Sequence, residues 1–323
     1  MPCATSRTTS WWGSPSAPSA SPPSTSTTTP AAATSSGSWS CRSTTPTECE
    51  AEILRANAAA MVAPLAGRGF NLVDLGAGDG KKTLIILEHL LAIGADFTYV
   101  PIDISEGAMK HLVASIRERL PRVRVEGLVC EYADGVRYLA RGERHNLVLF
   151  LGSNVGNFNA VQARAFLRRL WSALRDGDYA LVGFDLKKDI EVLLAAYNDR
   201  QGVTAEFNLN LLRRMNRELG ADFDVRTFRH YGTYNVFSGA MESYLVSLEP
   251  QIVRVAALEQ SFAFDAWEPV HTEYSYKYLR SDVDALARDT GFAMEARFED
   301  TRGWFLDALW RVVKAPPVPE PRV

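Results

Sequence analysis

From Glu48 onward the apolar positions recur at helical spacing, with Ile53, Leu54, Ala58, Met61 and Leu65 on one stripe that stops at Gly67 and acids in its first turns. Then the period changes. FNLVDLG is a short apolar run ending in glycine, and KKTLIILEHLLAIG returns to helical spacing. The alternation continues with FTYVPID as a strand, SEGAMKHLVASIRERL as a helix that Ser105 caps, and VRVEGLVCEY as a strand. HNLVLFLGS, AVQARAFLRRLWSALRDG and DYALVGFDL add strand, helix and strand. Strands separated by helices of this length imply right-handed crossovers and a parallel sheet covered on both faces. The expected class is a doubly wound α/β fold.

After Lys188 the rhythm breaks. DIEVLLAAYND and LNLLRRMNRELG read as helices, and after a polar-aromatic stretch GAMESYLVSL, QIVRVAA and SFAFDAW alternate as antiparallel strands do. The helix SDVDALARDTG and the strand-like DALWRVVK return to the first style. We therefore divide the chain into a core of 46–187 with 278–316 and an inserted α+β domain of 188–277.

Residues 1–45 are mostly Ser, Thr, Pro and Ala, with Arg7 and Arg42 the only charges. Such a segment cannot build a core, and lacking a basic start and an apolar stretch it does not read as a secretory signal. It is expected to be a disordered tail, as are residues 317–323. Over all 323 residues, 46% hydrophobic and 23% charged, 35 Lys+Arg against 38 Asp+Glu leave a net charge of -3. That balance argues against a nucleic-acid partner. No apolar run approaches the ~20 residues of a membrane span. Cys3, Cys41, Cys49 and Cys130 lack metal-ligand or disulfide spacing, which suits a reducing cytoplasm.

The sharpest motif is VDLGAGDGKKT, with Gly76, Gly78 and Gly80 between a strand and a helix. Absent side chains let the backbone turn tightly and a ligand approach it. Asp103, at the end of the following strand, is placed to accept ribose hydroxyls of an adenosine. The GxGxG spacing departs from the pyrophosphate-binding GxGxxG, and Asp74 beside the turn disfavours a phosphate, so a cationic S-adenosylmethionine is the expected ligand. Lys82 is either part of that site or a solvated first-turn lysine. Glu131 either joins it or ends a strand, and Tyr132 is then placed to stack on adenine.

GSNVGNFN follows a buried strand at its carboxyl end, where open α/β sheets place ligands. Asn157 there offers an amide to a carboxylate, or caps the next helix. Tyr197 is a phenol near a helix end, or a half-buried core tyrosine. In EPVHTEYSYKYLR, alternation puts Glu273 and Ser275 on one strand face and Tyr274 and Tyr276 on the other. An acid beside a hydroxyl can hold a polar ring, although a solvent-facing strand edge has the same pattern. His271 reads as structural; His89, His111, His145 and His230 form no ligand-spaced cluster, and no metal is expected.

From about Pro46 to Lys314 the chain resembles the histidine-specific, S-adenosylmethionine-dependent methyltransferases of ergothioneine biosynthesis. The stretches that carry this are LGAGDGKKT, PIDIS, FLGSNVGNF, GFDLKKD, AAYND, GVTAEFNLNLLRRMNRELGADFD and HTEYSYK. The resemblance implies a Rossmann-like core with an inserted substrate domain. It implies that Gly76, Gly78, Lys82, Asp103, Glu131 and Tyr132 bind the cofactor, that Asn157 and Tyr197 hold the amino acid's carboxylate, and that Glu273 and Ser275 read its imidazole, with Tyr197 or Glu273 guiding the amine's proton. The implied reaction is methylation of the α-amino group of L-histidine up to the trimethylated betaine, by a monomer.

Two departures stand beside it. Where the family carries an aromatic-rich segment with tyrosines that help close the substrate site, this chain has Ser/Thr/Pro-rich sequence, with Thr44 and Thr45 before Pro46. A shifted reading frame or misplaced start would produce such sequence, and an impaired S-adenosylmethionine-binding module is the corresponding alternative. GAMESYLVS and EPVHTEYSYKY also resemble the methyltransferase domain of ovothiol synthases, which points to 5-sulfanylhistidine as an alternative substrate.

Overall fold

The computed structural model describes residues 46–140 and 142–314. The Ser/Thr/Pro-rich segment 1–45, Thr44 and Thr45 included, and the expected tail 317–323 lie outside the described residues. The chain divides into two compact units, 46–187 with 277–314, and 188–276.

In the first unit the sequence periods become elements in chain order. Helix α1 (Pro46–Val62) starts on a proline, whose fixed φ suits a first turn, and buries Ile53, Leu54, Ala58 and Met61. Strand β1 (Phe70–Leu75), helix α2 (Lys81–Ala92), strand β2 (Phe97–Asp103) and helix α3 (Glu106–Arg119) follow. Ser105 caps α3, its hydroxyl accepting from Ala108 N at 3.2 Å. The expected single strand VRVEGLVCEY is instead two short pieces, β3 (Arg124–Val125) and β4 (Leu128–Val129), followed by helix α4 (Tyr132–Leu139). Gly127 breaks it: a side chain there would lie 2.8 Å from Met109 Sδ, so the backbone tucks against α3 instead of running straight. Strand β5 (His145–Phe150), helix α5 (Ala160–Ala173) and strand β6 (Tyr179–Asp185) complete the run before the insert.

The chain re-enters this unit at Lys277 and adds helix α8 (Arg280–Thr290), strand β12 (Phe292–Glu299) and strand β13 (Phe305–Val312). β12 was not legible in the sequence, because its pattern of half-buried residues alternates with charges. The sheet order is β12-β13-β6-β5-β1-β2-β3, with β4 also on β2. β1, β2, β5 and β6 pair in parallel, while β13 runs antiparallel to both β6 and β12. This is a Rossmann-like sheet with an antiparallel strand pair at one end. Each central strand feeds both faces: Phe70 and Leu72 enter one apolar cluster, Val73 and Leu75 the other. Burial on two faces explains why these strands read as unbroken apolar runs.

The inserted unit contains helix α6 (Ile190–Tyr197), helix α7 (Val203–Leu219), and strands β7 (Phe228–Asn235), β8 (Ala240–Ser247), β9 (Gln251–Val255), β10 (Gln260–Phe264) and β11 (Pro269–Tyr276). β11-β8-β7 form an antiparallel sheet, and β9 and β10 a separate hairpin. β7 lies in the polar-aromatic stretch to which the sequence assigned no element. Its own small core joins Leu212, Phe223, Phe228, Leu245 and Val253. Among the described residues no helix is long and apolar enough to cross a membrane.

Candidate active site

β1 and β5 are neighbours from which the chain departs in opposite directions, so the crevice at their carboxyl ends is the place for a ligand in an open α/β sheet. Gly76, Gly78 and Gly80 all have positive φ (75°, 54° and 67°), a conformation that explains glycine at each. Their surroundings differ. A side chain on Gly80 would meet Leu112 Cδ1 at 2.3 Å, so this glycine serves the packing of α2 against α3. At Gly78 nothing lies nearer than the Gly76 carbonyl at 4.0 Å, which leaves its backbone open to a ligand. Gly78 N donates to Asp103 Oδ2 at 3.2 Å and Ser105 N to Asp103 Oδ1 at 2.9 Å, so the half-buried Asp103 is fixed against the turn from both sides.

Asp74 does not face the turn as an open charge. It is buried, and its Oδ2 accepts from Thr83 Oγ1 at 2.6 Å and Tyr99 OH at 3.0 Å. Burial pushes its carboxyl up to about 6 against the pull of those bonds and of Lys82. Its work is to tie β1 to α2 and β2 beneath the glycines, and the phosphate-disfavouring role read from the sequence gives way to this one.

Tyr132 opens α4 with Glu131 exposed just before it. A side chain on Gly76 would meet the Tyr132 hydroxyl at 2.5 Å, so the phenol stands over the first glycine. Its ring packs on Phe150 and Phe166, with centroids at 5.6 and 5.8 Å. Burial, then the charges of Asp103 and Asp74, push its hydroxyl up to about 12, and it stays protonated. Lys82 is neither solvated nor alone: Nζ lies 2.6 Å from Oε2 of the buried Glu50. After β5, Gly152 N donates to both oxygens of the same carboxylate, at 2.8 and 3.0 Å.

Asn157 is exposed and ends a short 3-10 turn, Asn154–Asn157. It does not cap the next helix. Asn159 does, its Oδ1 accepting from Val161 N and Gln162 N while Gln162 Oε1 accepts from Asn159 N.

Within the inserted unit, Gly232 of β7 lies opposite Ser243 of β8, which lies opposite Glu273 of β11. Residues directly opposite share a face. A side chain on Gly232 would meet Tyr197 Cβ at 3.0 Å, so the end of α6 lies over the face that bears Glu273. The Asn198 amide holds it there, donating to Gly232 O at 2.8 Å and accepting from Gly232 N at 2.9 Å on the edge strand. Ser275, buried, follows on the same face. The register shifts between His271 and Glu273, which turns His271 to the other face with Tyr244 and Tyr274, ring centroids 5.3 and 3.9 Å away. Burial pulls its imidazole below the usual range.

The model of the family described as histidine-specific, SAM-dependent methyltransferases matches residues 42–312. A histidine N-alpha-methyltransferase from Mycobacterium tuberculosis is 36% identical over 260 residues, 80% of each chain. One from Mycolicibacterium smegmatis is 35% identical over the same shares. Ergothioneine biosynthesis protein 1 of Neurospora crassa is 29% identical over 252 residues, 76% of this chain and 28% of its own. The chain belongs to this family.

The family's S-adenosylmethionine fits the residues present: an uncovered backbone at Gly78, a carboxylate at the end of β2 already aligned with it, and an aromatic hydroxyl over Gly76. Among the described residues no group of His, Cys, Asp or Glu side chains could hold a metal ion. Several residues that shape this methyltransferase's turn were missed by sequence reasoning. Glu50 is one, an acid in the first turns of a helix, a place that by itself marks no partner. Thr83 and Tyr99 are others, whose hydroxyls give no pattern until β1, α2 and β2 are packed together.

Proposed function

We propose that this methyltransferase acts on the α-amino nitrogen of L-histidine, in successive transfers up to the trimethylated betaine. The observation that carries this reading is the 36% identity, over 80% of both chains, with a protein named as a histidine N-alpha-methyltransferase. When bound, S-adenosylmethionine would supply a methyl group made electrophilic by its sulfonium, for transfer to the amine with the thioether of S-adenosylhomocysteine as the leaving group.

The residues divide the work. Asp103 accepts the ribose hydroxyls, Gly76 and Gly78 admit the cofactor to the backbone, Lys82 takes its carboxylate, and Glu131 and Tyr132 border the adenine. Asn157 and Tyr197 hold the amino acid's carboxylate, and Glu273 with Ser275 reads the imidazole as an acceptor and a donor. Displacement of this kind depends on alignment, and fixing both reactants contributes up to ~7–11 kcal/mol in the best cases. The amine must shed a proton before it attacks, and the Tyr197 phenol and the Glu273 carboxylate are the groups assigned to guide it. The shared face of Tyr197 and Glu273 supports their acting on one substrate. In this reading the enzyme is a cytoplasmic monomer.

Titration calorimetry of the full chain with S-adenosylhomocysteine, followed in the same cell by histidine and then 5-sulfanylhistidine, tests it. Binding of histidine only after the cofactor product is the expected result. A preference for the thiol would replace histidine as the substrate, and cofactor binding with neither amino acid would overturn the enzymatic reading.

A further inference from the structure

The glycine turn rests on charge that the reaction does not use. Glu50, fully buried, receives Lys82 Nζ on Oε2 at 2.6 Å and Gly152 N on both oxygens. Its other side faces β6, where a side chain on Gly183 would meet Glu50 Oε1 at 2.4 Å. Gly183 lies directly opposite Asp307 of β13, so Glu50 fills the space that a glycine leaves beside an aspartate on the same face. Asp307 is also fully buried, and among the described residues no donor reaches either of its oxygens.

Two buried carboxylates and one ammonium leave one negative charge too many. An ionised carboxylate with no donor in the interior is costly, and such a group keeps its proton instead. Asp307 is the group in that position, since Glu50 already has an ammonium and a backbone N–H. We infer that Glu50 and Asp307 are positioning residues for cofactor binding: one proton held between their carboxyl groups leaves a single negative charge, which sets Lys82 and Gly152 against the glycine turn. The inference rests on reading Lys82 as a cofactor ligand.

Further observations agree. A side chain on Gly152 would meet Lys82 Nζ at 2.8 Å, so the ammonium lies directly over the strand end that Glu50 also holds. Burial first, then the Glu50 charge, holds the Asp307 carboxyl well above the usual carboxylate range, with Lys82 opposing. Glu50 and Lys82 are the charged groups acting on it, and its neighbours in the sheet are Gly183 on β6 and Phe298 on β12.

The test is the affinity for S-adenosylhomocysteine of the full chain from about pH 6 to 9, with folding checked by circular dichroism. Lys82→Met should weaken binding about tenfold or more at all pH values, the loss of a charged hydrogen-bonding partner. Unchanged binding there would refute the reading of Lys82 itself. In Glu50→Gln alone Asp307 is left to ionise in place of Glu50. The variant that isolates the charge is therefore the double one, Glu50→Gln with Asp307→Asn, in which the half-buried ammonium keeps neither carboxylate and its neutral form is favoured. Binding should then stay within about threefold of wild type at the acid end and fall about tenfold below it at the alkaline end. Glu50→Asp, which keeps the charge, should restore the wild-type profile. If Lys82→Met is weak but the double variant follows wild type at every pH, the inference is overturned.

Asp307→Asn by itself gives a second reading that does not depend on whether the double variant folds. Its amide can donate to Glu50 and cannot ionise, so its binding profile should track wild type. Because the native state keeps a proton that the unfolded chain releases, Asp307 lowers stability as pH rises above about 4 toward its raised value. Asp307→Asn should lack that part of the decline in urea unfolding. A profile like that of the double variant, or an unchanged decline, would show that Asp307 is not the neutral partner.

Discussion

Single side chains in this protein are set by what surrounds them more than by their type. Asp103 and Asp74 both lie beside the glycine turn, yet one is fixed by backbone N–H groups at the edge of the crevice and the other is locked beneath it by two hydroxyls. Asp103→Ala should raise the dissociation constant for S-adenosylhomocysteine about a hundredfold by calorimetry, as loss of charged hydrogen bonds costs ~1.5–3 kcal/mol each. Glu273→Ala should weaken histidine while leaving that constant unchanged, and equal losses for both ligands would remove Glu273 from the imidazole. For Asp74 the pH effect has a definite sign. Its carboxyl rises from 3.8 to about 6 in the fold, so the native state holds the proton longer than the unfolded chain. It therefore lowers stability as pH climbs between those values, by about 3 kcal/mol at ~1.4 kcal/mol per unit. Urea unfolding of Asp74→Asn across that range should show this part of the decline removed.

At the scale of elements, glycines decide how closely neighbours approach. Gly80 and Gly183 give room to Leu112 and Glu50, and Gly232 gives room to the end of α6. Gly232→Ala would set a methyl 3.0 Å from Tyr197 Cβ, an atom bonded directly to the α6 backbone. It should displace Tyr197 and weaken histidine binding several-fold in calorimetry, with the affinity for S-adenosylhomocysteine intact. The bulge in β11 belongs to this scale as well. One extra residue separates His271 from the Glu273 face, an outcome that strict alternation places differently.

At the scale of the whole molecule, one chain builds two compact units, and the core closes the break that the insert makes. Leu186 bridges Tyr278, Lys187 N donates to Tyr278 O at 2.9 Å, and Tyr278 N donates to Asp185 O at 3.0 Å. Lys277 Nζ lies 2.8 Å from Asp185 Oδ2, and both side chains are buried. The departing and returning strands are thus clamped at their base by a buried ion pair. Lys277→Met removes the ammonium facing Asp185 and should cost ~3–5 kcal/mol of stability in thermal unfolding. A change below about 1 kcal/mol would show that the pair contributes little to the closure.

The sequence by itself determined the periods, and with them the parallel sheet, the glycine turn with Asp103 one strand away, the capping of α3 and the place where the rhythm breaks. These depend on neighbours along the chain, or on the regular repeat of strand and helix, and local patterns record them. Tertiary structure alone decided the partners of Lys82, the burial of Glu50 and Asp307, and the pairing of Asp185 with Lys277. It also turned VRVEGLVCEY into two strand fragments that end where a helix begins at Tyr132, because only packing against Met109 shows what Gly127 is for. Each of these is a contact between residues distant in sequence, and a polar residue carries the same letter whether it faces water or a charge brought to it by the fold.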